Sequence, residues 1–417
     1  MAIIKTFKAI RPQPKYARDV LSLPYDVMNR NEAEKMSENN PFSFLHICRS
    51  EIDLPHISNP YSNEVYLQAR KNMDALVQNR IFIKEEKPCL YIYRQIMNGR
   101  AQTGIVACAS IDDYQNNVIK KHEFTRHEKE LDRIRHFDTC NANTEPVFLT
   151  YRHNEEINRI ISKWISESKP VYDILSGDNI RHMVWVIDSE IISDKIISLF
   201  KTIDALYIAD GHHRTASAVN VGLKRRERNP SYKGNEAFNF FLTILFPDRD
   251  LKIFDYNRVV RDLNGLSPQE FLGKVEKNFH VTELDNEACP YKPNSPHTFG
   301  MHLGVNWYKL VARDEILNED DPIGRLDVSI LQDNLLAPIL GIEDPRKDDR
   351  IDFVGGIRGL EELQKRVKID MAVAFALYPV SIDDLLSVSD HNLVMPPKST
   401  WFEPKLGSGL FIHELED

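Results

Sequence analysis

The chain has 417 residues and a net charge of −9, from 53 Lys and Arg against 62 Asp and Glu. At roughly 100–200 residues per domain this length predicts two or three domains. The composition, 42% hydrophobic and 28% charged, is that of a soluble globular protein. The acidic balance argues against general binding to nucleic acid, and no apolar run reaches the ~18 residues of a membrane helix. Residues 1–8 predict a first strand rather than a signal peptide, so we expect a cytoplasmic protein with no membrane partner.

The first half of the chain alternates predicted helices and strands. The dipeptide Asn98-Gly99 predicts a hairpin turn between two β-like runs. The polar run 30–40 is compatible with a helix that Pro41 closes, and apolar periodicity predicts a helix over 61–80. Further helices are predicted over 155–167 and 191–200, and strands over 89–95, 104–111, 147–152 and 182–187. Five widely separated cysteines, the last of them Cys289, exclude a C-x₂-C zinc site and predict buried thiols.

The second half begins with a short apolar strand over 205–209, and a helix is predicted to open at Thr215. Three prolines between 290 and 296 indicate irregular structure, so we place a boundary near 265–290. The tail alternates strand and helix. The prediction is an α+β or mixed α/β fold with an N-terminal region 1–265 and a C-terminal α/β region 266–417 that completes the site.

The strongest candidate site is Asp210-Gly211-His212-His213-Arg214, between the apolar strand and the following helix. Backbone N–H groups at a helix start favour an anion, and Gly211 permits a close approach of the backbone to a ligand. Arg214 could bind phosphate, either histidine could transfer a proton, and Asp210 could hold Mg²⁺. A simple helix cap at Asp210 is the alternative.

Two further polar segments are candidates. Residues 120–136 have few apolar positions, so they form either a solvated helix with ion pairs or a site in which Glu123 is a base and Arg126 and Arg133 bind phosphate. Residues 395–410 place Lys398, Ser399 and Lys405 in a proline-stiffened loop, which is either a phosphate contact or a surface connector. Asp26 and the glycine-rich run 354–359 are weaker candidates.

Taken together, these motifs resemble the bacterial and archaeal family DUF1015. The resemblance spans essentially the whole chain and rests on the segments 23–27, 121–126, 132–136, 209–214 and 395–402. The segment 210–214 is similar to the phosphate-binding signature of the ParB/sulfiredoxin fold, which also occurs in free serine kinases. The resemblance implies a ParB/sulfiredoxin-like core that carries phosphate on Asp210, Gly211, His212, His213 and Arg214.

The resemblance further implies a kinase or phosphatase that acts on serine or O-phosphoserine. Mg²⁺ and ADP or ATP are the expected cofactors, Glu123 is the candidate base, and the direction of transfer and the oligomeric state stay open. One alternative is a nucleotide-binding regulatory or DNA-partition protein that uses the basic residues 224–228. A metal hydrolase with ligands Asp210, His122, His212 and His213 is another.

Overall fold

The computed structural model describes residues 1–284 and 290–416. These residues form two compact units. The first comprises residues Met1–Leu251 and the described residues from Pro404 onward, and the second comprises Lys252–Glu403. The predicted division into 1–265 and 266–417 differs from this split by residues 252–265 and by the return of the C-terminal segment to the first unit.

The strands are short, and most of their residues are buried. In chain order they are β1 Ile4–Lys5, β2 Ile10–Pro12, β3 Phe82–Lys84, β4 Leu90–Met97, β5 Arg100–Ser110, β6 Ile119–Lys120, β7 Ala142–Asn143, β8 Val147–Tyr151, β9 Tyr172–Leu175, β10 Arg181–Ile187, β11 Leu206–Asp210, β12 Phe240–Pro247, β13 Ile253–Phe254, β14 Tyr256–Val260, β15 Phe279–Glu283, β16 Thr298–Leu303, β17 Asn306–Ala312, β18 Ile351–Gly355, β19 Val373–Ala376, β20 Trp401–Phe402 and β21 His413–Glu414.

The α-helices vary from single turns to nearly five turns in α9, which has 17 residues. They are α1 Ala17–Val20, α2 Arg30–Ser37, α3 Leu45–Cys48, α4 Asn63–Gln78, α5 Ile111–Gln115, α6 His127–Cys140, α7 Glu155–Glu167, α8 Glu190–Phe200, α9 His212–Arg228, α10 Pro268–Val275, α11 Asp327–Leu331, α12 Glu361–Ile369 and α13 Ile382–Asp390. No helix in the described part of the chain is long and apolar enough to span a membrane.

The first unit is built on a large mixed sheet with the strand order β6-β11-β8-β12-β5-β4-β10-β9, in which β1 also pairs with β5. β11 runs parallel to β6, and β12 runs parallel to β8, whereas the other pairs are antiparallel. Asn98 and Gly99 both have positive φ, so they form the tight turn that pairs β4 with β5. Apolar side chains of β5, β8, β11 and β12 form the main core of this unit.

The second unit has its own sheet, with the order β15-β17-β16-β19-β14-β18. All of these pairs are antiparallel. Its core joins Val259, Trp307 and Ala374 of the sheet to Leu363 of α12. The mixed α/β class is therefore confirmed.

Several local predictions agree with the structure, and two do not. The predicted helix over 155–167 is α7, which begins because the Asn154 side chain accepts hydrogen bonds from the N–H groups of Glu156 and Ile157. Cys48, Cys89, Cys108 and Cys140 are buried as predicted, whereas Cys289 lies outside the described residues.

The two differences fall at helix starts. α9 begins at His212 rather than Thr215, because Gly211 adopts φ 93° and turns the chain directly into the helix. A helix through residues 120–136 is wrong for its first part, since α6 begins only at His127. His122 is 2% exposed, and a buried residue at this position does not fit a solvated helix that begins at residue 120.

Candidate functional site

The shape of the turn between β11 and α9 depends on the end of β11 and on Gly211. The pairing of β11 with β8 shifts register between Ile208 and Asp210, which changes the direction of the strand at its end. Gly211 then occupies the N-cap position, where it has no side chain to cap the helix. The first N–H groups of α9 are thus left to another partner, and the positive end of the helix dipole favours an anion there.

Arg214 lies beneath this turn and is 1% exposed. Its Nη2 donates to Asp210 Oδ2 at 2.7 Å, and its Nη1 donates to the carbonyl of Pro146 at 2.7 Å. Asp26 Oδ2 lies 3.9 Å from the same Nη2. The guanidinium therefore bridges two carboxylates and the carbonyl of the residue before β8, and these contacts fix its position.

Asp210 is also paired with Lys405, whose Nζ lies 3.5 Å from Asp210 Oδ1. Burial by itself would raise the pKa of Asp210, but the charges of Lys405 and Arg214 hold that pKa below its usual value. The carboxylate is consequently ionised at neutral pH. The predicted site residues Asp210, Gly211, Arg214 and Lys405 thus meet at one place.

His122 and His212 form a buried pair beside the turn. Their rings meet edge to face, with centroids 4.5 Å apart. Burial lowers the pKa of His122 to about 4, and burial together with the neighbouring His122 lowers the pKa of His212. Both imidazoles are therefore neutral at pH 7. His122 Nδ1 and Nε2 and His212 Nε2 have no hydrogen-bond partner among the described residues.

Glu123 and His213 lie on the exposed side of this pair. Glu123 Oε2 is 3.9 Å from His212 Nδ1, and its side chain is half exposed. His213 Nε2 accepts a hydrogen bond from the backbone N–H of Arg126 at 2.9 Å. That bond fixes the loop before α6 against the start of α9, so residues 87 positions apart in the chain share one surface.

Arg133 belongs to a buried charged network next to Tyr25. It forms an ion pair with Asp132, with Nη2 2.9 Å from Oδ2, and its guanidinium lies 4.0 Å from the centroid of the Tyr25 ring. Glu145 is fully buried 3.8 Å from Arg133 Nη1, and it accepts a hydrogen bond from Ser408 Oγ. Burial raises the pKa of Glu145. The sequence analysis missed Glu145, because nothing in its local sequence marks it.

The C-terminal segment of the first unit is fixed at several points. Gln95 Nε2 donates to the carbonyl of Lys405 at 2.8 Å, and Gly407 N donates to Tyr93 Oη at 3.1 Å. Tyr93 Oη is also 2.6 Å from Nδ1 of His182. β4 therefore holds the backbone that presents Lys405 to Asp210.

Lys398 and Ser399 belong to the second unit, where their loop is internally bonded. Ser399 Oγ donates to the carbonyl of Pro396 at 2.6 Å, and Lys398 Nζ lies 5.5 Å from the centroid of the Tyr256 ring. In the glycine-rich run, a Cβ on Gly356 would lie 2.3 Å from Asp255 Oδ1, so this glycine is required for packing. Their predicted phosphate contacts stay predictions.

The geometry gives little support to the two alternative functions, DNA partition and metal-dependent hydrolysis. Within the basic run 224–228, Lys224 and Arg225 pair with Asp138, and Arg226 pairs with Asp112. These carboxylates offset the charge that a DNA surface would need. Across residues 1–284 and 290–416, no group of three or more His, Cys, Asp or Glu side chains has the arrangement of a metal site.

The fold and this turn define a mixed α/β protein with buried charged residues at a strand-to-helix junction. The chain belongs to the family described as "Protein of unknown function (DUF1015)", which matches residues 4–329. The resemblance noted in the sequence is thus confirmed at the level of the family. No curated protein matches this sequence.

Three solved structures show what the chain is similar to. Free serine kinase in complex with AMP is 14% identical, with a TM-score of 0.34 over 74% of this chain and 92% of that chain. SbnI with a C-terminal truncation, from Staphylococcus aureus, is 10% identical, with a TM-score of 0.38 over 74% and 86% of the two chains. A conserved hypothetical protein from Pyrococcus furiosus is 14% identical, with a TM-score of 0.34 over 74% and 95%.

Proposed function

We propose that this protein is a phosphotransferase that moves a phosphoryl group between a nucleotide and serine, or releases it from O-phosphoserine to water. The substrate class comes from the similarity of residues 210–214 to the signature of free serine kinases. We further propose that the strands and helices around this turn form a ParB/sulfiredoxin-like core.

The observation that carries the proposal is the junction of β11 and α9. It brings together an uncapped helix start, the ammonium group of Lys405 and an arginine fixed by Asp210 and Pro146. Phosphoryl transfer needs chiefly in-line positioning and cationic partners for the phosphate oxygens. Arg214 positions Asp210, while Lys405, His213 and the N–H groups of α9 are the groups proposed to contact phosphate. Arg126 at the rim would add a further cation.

In the forward direction the serine hydroxyl oxygen attacks the terminal phosphorus of the nucleotide. The new O–P bond forms as the bond to the bridging oxygen breaks, and the hydroxyl proton moves to a carboxylate. Glu123 is the candidate base because its carboxylate is half exposed beside a neutral imidazole. Asp26 competes for this role, since it is also partly exposed and lies near Arg214.

The carboxylates of Asp26 and Asp210 both lie beside the same nitrogen of Arg214. One or two carboxylates are the ligands that Mg²⁺ uses together with substrate phosphates. These two residues would hold the ion. When bound, it would neutralise negative charge on the phosphate groups. Asp210 shares both of its oxygens with cations, so Asp26 is the more available ligand.

The test is a phosphoryl-exchange assay followed by ³¹P NMR. Purified protein with Mg²⁺ is incubated with serine and ATP or ADP, and in parallel with O-phosphoserine alone and with ADP. We expect transfer in at least one direction. The proposal fails if every combination of donor and acceptor leaves the phosphorus spectrum unchanged over many hours.

Matched carboxamide variants assign the base. Glu123→Gln should lower kcat by about 100-fold with little change in KM if Glu123 accepts the proton. Asp26→Asn should instead raise the Mg²⁺ concentration needed for half-maximal rate. The reverse pattern would exchange the two roles, and two unaffected variants would remove both residues from the mechanism.

A further inference from the structure

The second unit contains a cavity whose wall includes none of the residues given a role in the proposed reaction. Pro396 and Pro397 in this wall precede the candidate residues Lys398 and Ser399. Its volume is about 290 Å³, and its wall combines cationic and apolar side chains. Among the lining residues are Arg258, Val328, Leu336, Ile351, Phe353 and Pro397. Apolar walls with a few convergent polar groups are typical of small-molecule sites.

Arg258 is the notable member of this wall. It is 3% exposed, although it carries a full charge. Its Nη2 donates to the carbonyl of Lys398 at 2.9 Å, its Nη1 donates to the carbonyl of Tyr256, and its guanidinium lies 5.4 Å from the centroid of the Phe353 ring. Within residues 1–284 and 290–416, no carboxylate lies within ion-pair distance of it.

The contrast with the other deeply buried arginines is informative. Arg133 and Arg214 are each paired with carboxylates, and despite their burial these partners raise their pKa values. At Arg258, burial acts without such a partner and lowers the pKa to about 10. A buried charge with only carbonyl dipoles around it is costly, and an anionic partner would offset that cost.

The acidic residues in the cavity wall do not provide this partner. Asp344 accepts a hydrogen bond from the Nε of Arg346 at 2.9 Å, so its charge is paired with that of Arg346. Glu343 is exposed. Arg346 adds a second cationic group to the same wall. The cavity therefore has one uncompensated cation at a buried position and apolar surface next to it.

We propose that this cavity binds a small organic anion, a carboxylate or a phosphate ester, whose charged group pairs with Arg258 while its apolar body packs against Phe353 and Leu336. The remaining N–H groups of a guanidinium suit either anion, because both present two coplanar oxygens. This proposal does not rest on the proposed phosphoryl transfer, and each of the two can be tested without the other.

Isothermal titration calorimetry of the full chain with three aromatic probes tests the proposal. Phenyl phosphate and benzoate carry the two anionic groups, and phenol is their neutral counterpart. We expect at least one of the two anions to bind about tenfold more tightly than phenol. The anion that binds identifies the head group. Absence of binding by both anions, or equal binding of phenol, would overturn the proposal.

Variants locate the binding. Arg258→Met should abolish binding of the anion. Arg258→Lys keeps the charge but loses the planar fork, so it should bind about tenfold more weakly and also serves if the methionine variant does not fold. Arg366→Met removes an arginine of the same unit that pairs with Asp352 and Asp370, and it should bind normally.

The first unit could itself bind phenyl phosphate, and Lys405→Met distinguishes the two places. Binding that persists in Lys405→Met and is about tenfold weaker in Arg258→Lys supports the cavity. Binding that is lost in Lys405→Met and persists in both Arg258 variants would place the anion at the turn and overturn this inference.

Discussion

Replacement of Gly211 by alanine perturbs the turn by one methyl group. Gly211 has φ 93°, a conformation that side chains with a Cβ rarely adopt. The added Cβ would lie 3.1 Å from Nε, 3.2 Å from Cζ and 3.3 Å from Nη2 of Arg214. Arg214 has little freedom to retreat, since Asp210 and Pro146 hold it with hydrogen bonds of 2.7 Å.

Two costs add in this variant. The left-handed backbone costs a residue with a Cβ about 1–2 kcal/mol. Crowding of a buried ion pair should add about 1–2 kcal/mol, because complete loss of such a pair costs about 3–5 kcal/mol and the required shift is only a few tenths of an ångström. We therefore expect Gly211→Ala to lower the free energy of unfolding by about 2–4 kcal/mol, and the displaced Asp210 to slow phosphoryl transfer about tenfold or more.

Gly234→Ala is the matched control. Gly234 belongs to the same unit and has φ 87°, but no atom lies within 4 Å of a Cβ placed there. Urea denaturation should show that this variant loses only the backbone cost, about 1–2 kcal/mol, with transfer unchanged. Equal losses of stability in the two variants, together with normal activity of Gly211→Ala, would refute the role given to Arg214.

Three other changes have expected outcomes. Tyr93→Phe removes the hydroxyl that accepts from Gly407 N, so nucleotide binding should weaken while Tyr91→Phe, two residues earlier on β4, has a smaller effect in the same titration. Lys405→Met should weaken nucleotide binding about tenfold with little change in Tm, as measured by calorimetry and thermal unfolding. Asp327 is buried and its pKa rises from 3.8 to about 7, so the unfolded state ionises first and stability falls as the pH rises from about 4 to about 7. Asp327→Asn should remove up to about 4 kcal/mol of that fall between urea titrations at pH 4 and pH 8.

Local features of the fold could be predicted because short-range rules govern them. The hairpin of β4 and β5 follows from Asn98-Gly99, and α7 follows from the cap at Asn154 and the apolar spacing behind it. The predicted starts of helices α6 and α9 are less accurate. Whether the chain turns at Gly211 or three residues later depends on its left-handed backbone, and the length of α6 depends on the burial of His122 against His212.

Within the candidate site, residues 210–214 stand together in the sequence, and their types alone indicate chemistry with anions. The residues that pair within the site across the fold are not adjacent in the sequence. Lys405 reaches Asp210 across 195 positions, and Ser408 reaches Glu145 across 263. Neither separation leaves a periodic or compositional signal in the chain.

The sequence by itself determined the class of fold, the family and the one short segment on which the proposed chemistry depends, because strand and helix periods, turn residues and contiguous motifs are properties of neighbouring positions. Only the tertiary structure decided which distant charges join that segment. The order of strands in the sheet and the hydrogen bonds from β4 to the C-terminal segment bring Lys405 to Asp210, and packing leaves Arg258 buried without a carboxylate. Both outcomes arise from long-range packing, in which each residue's partner is selected by the geometry of the whole unit.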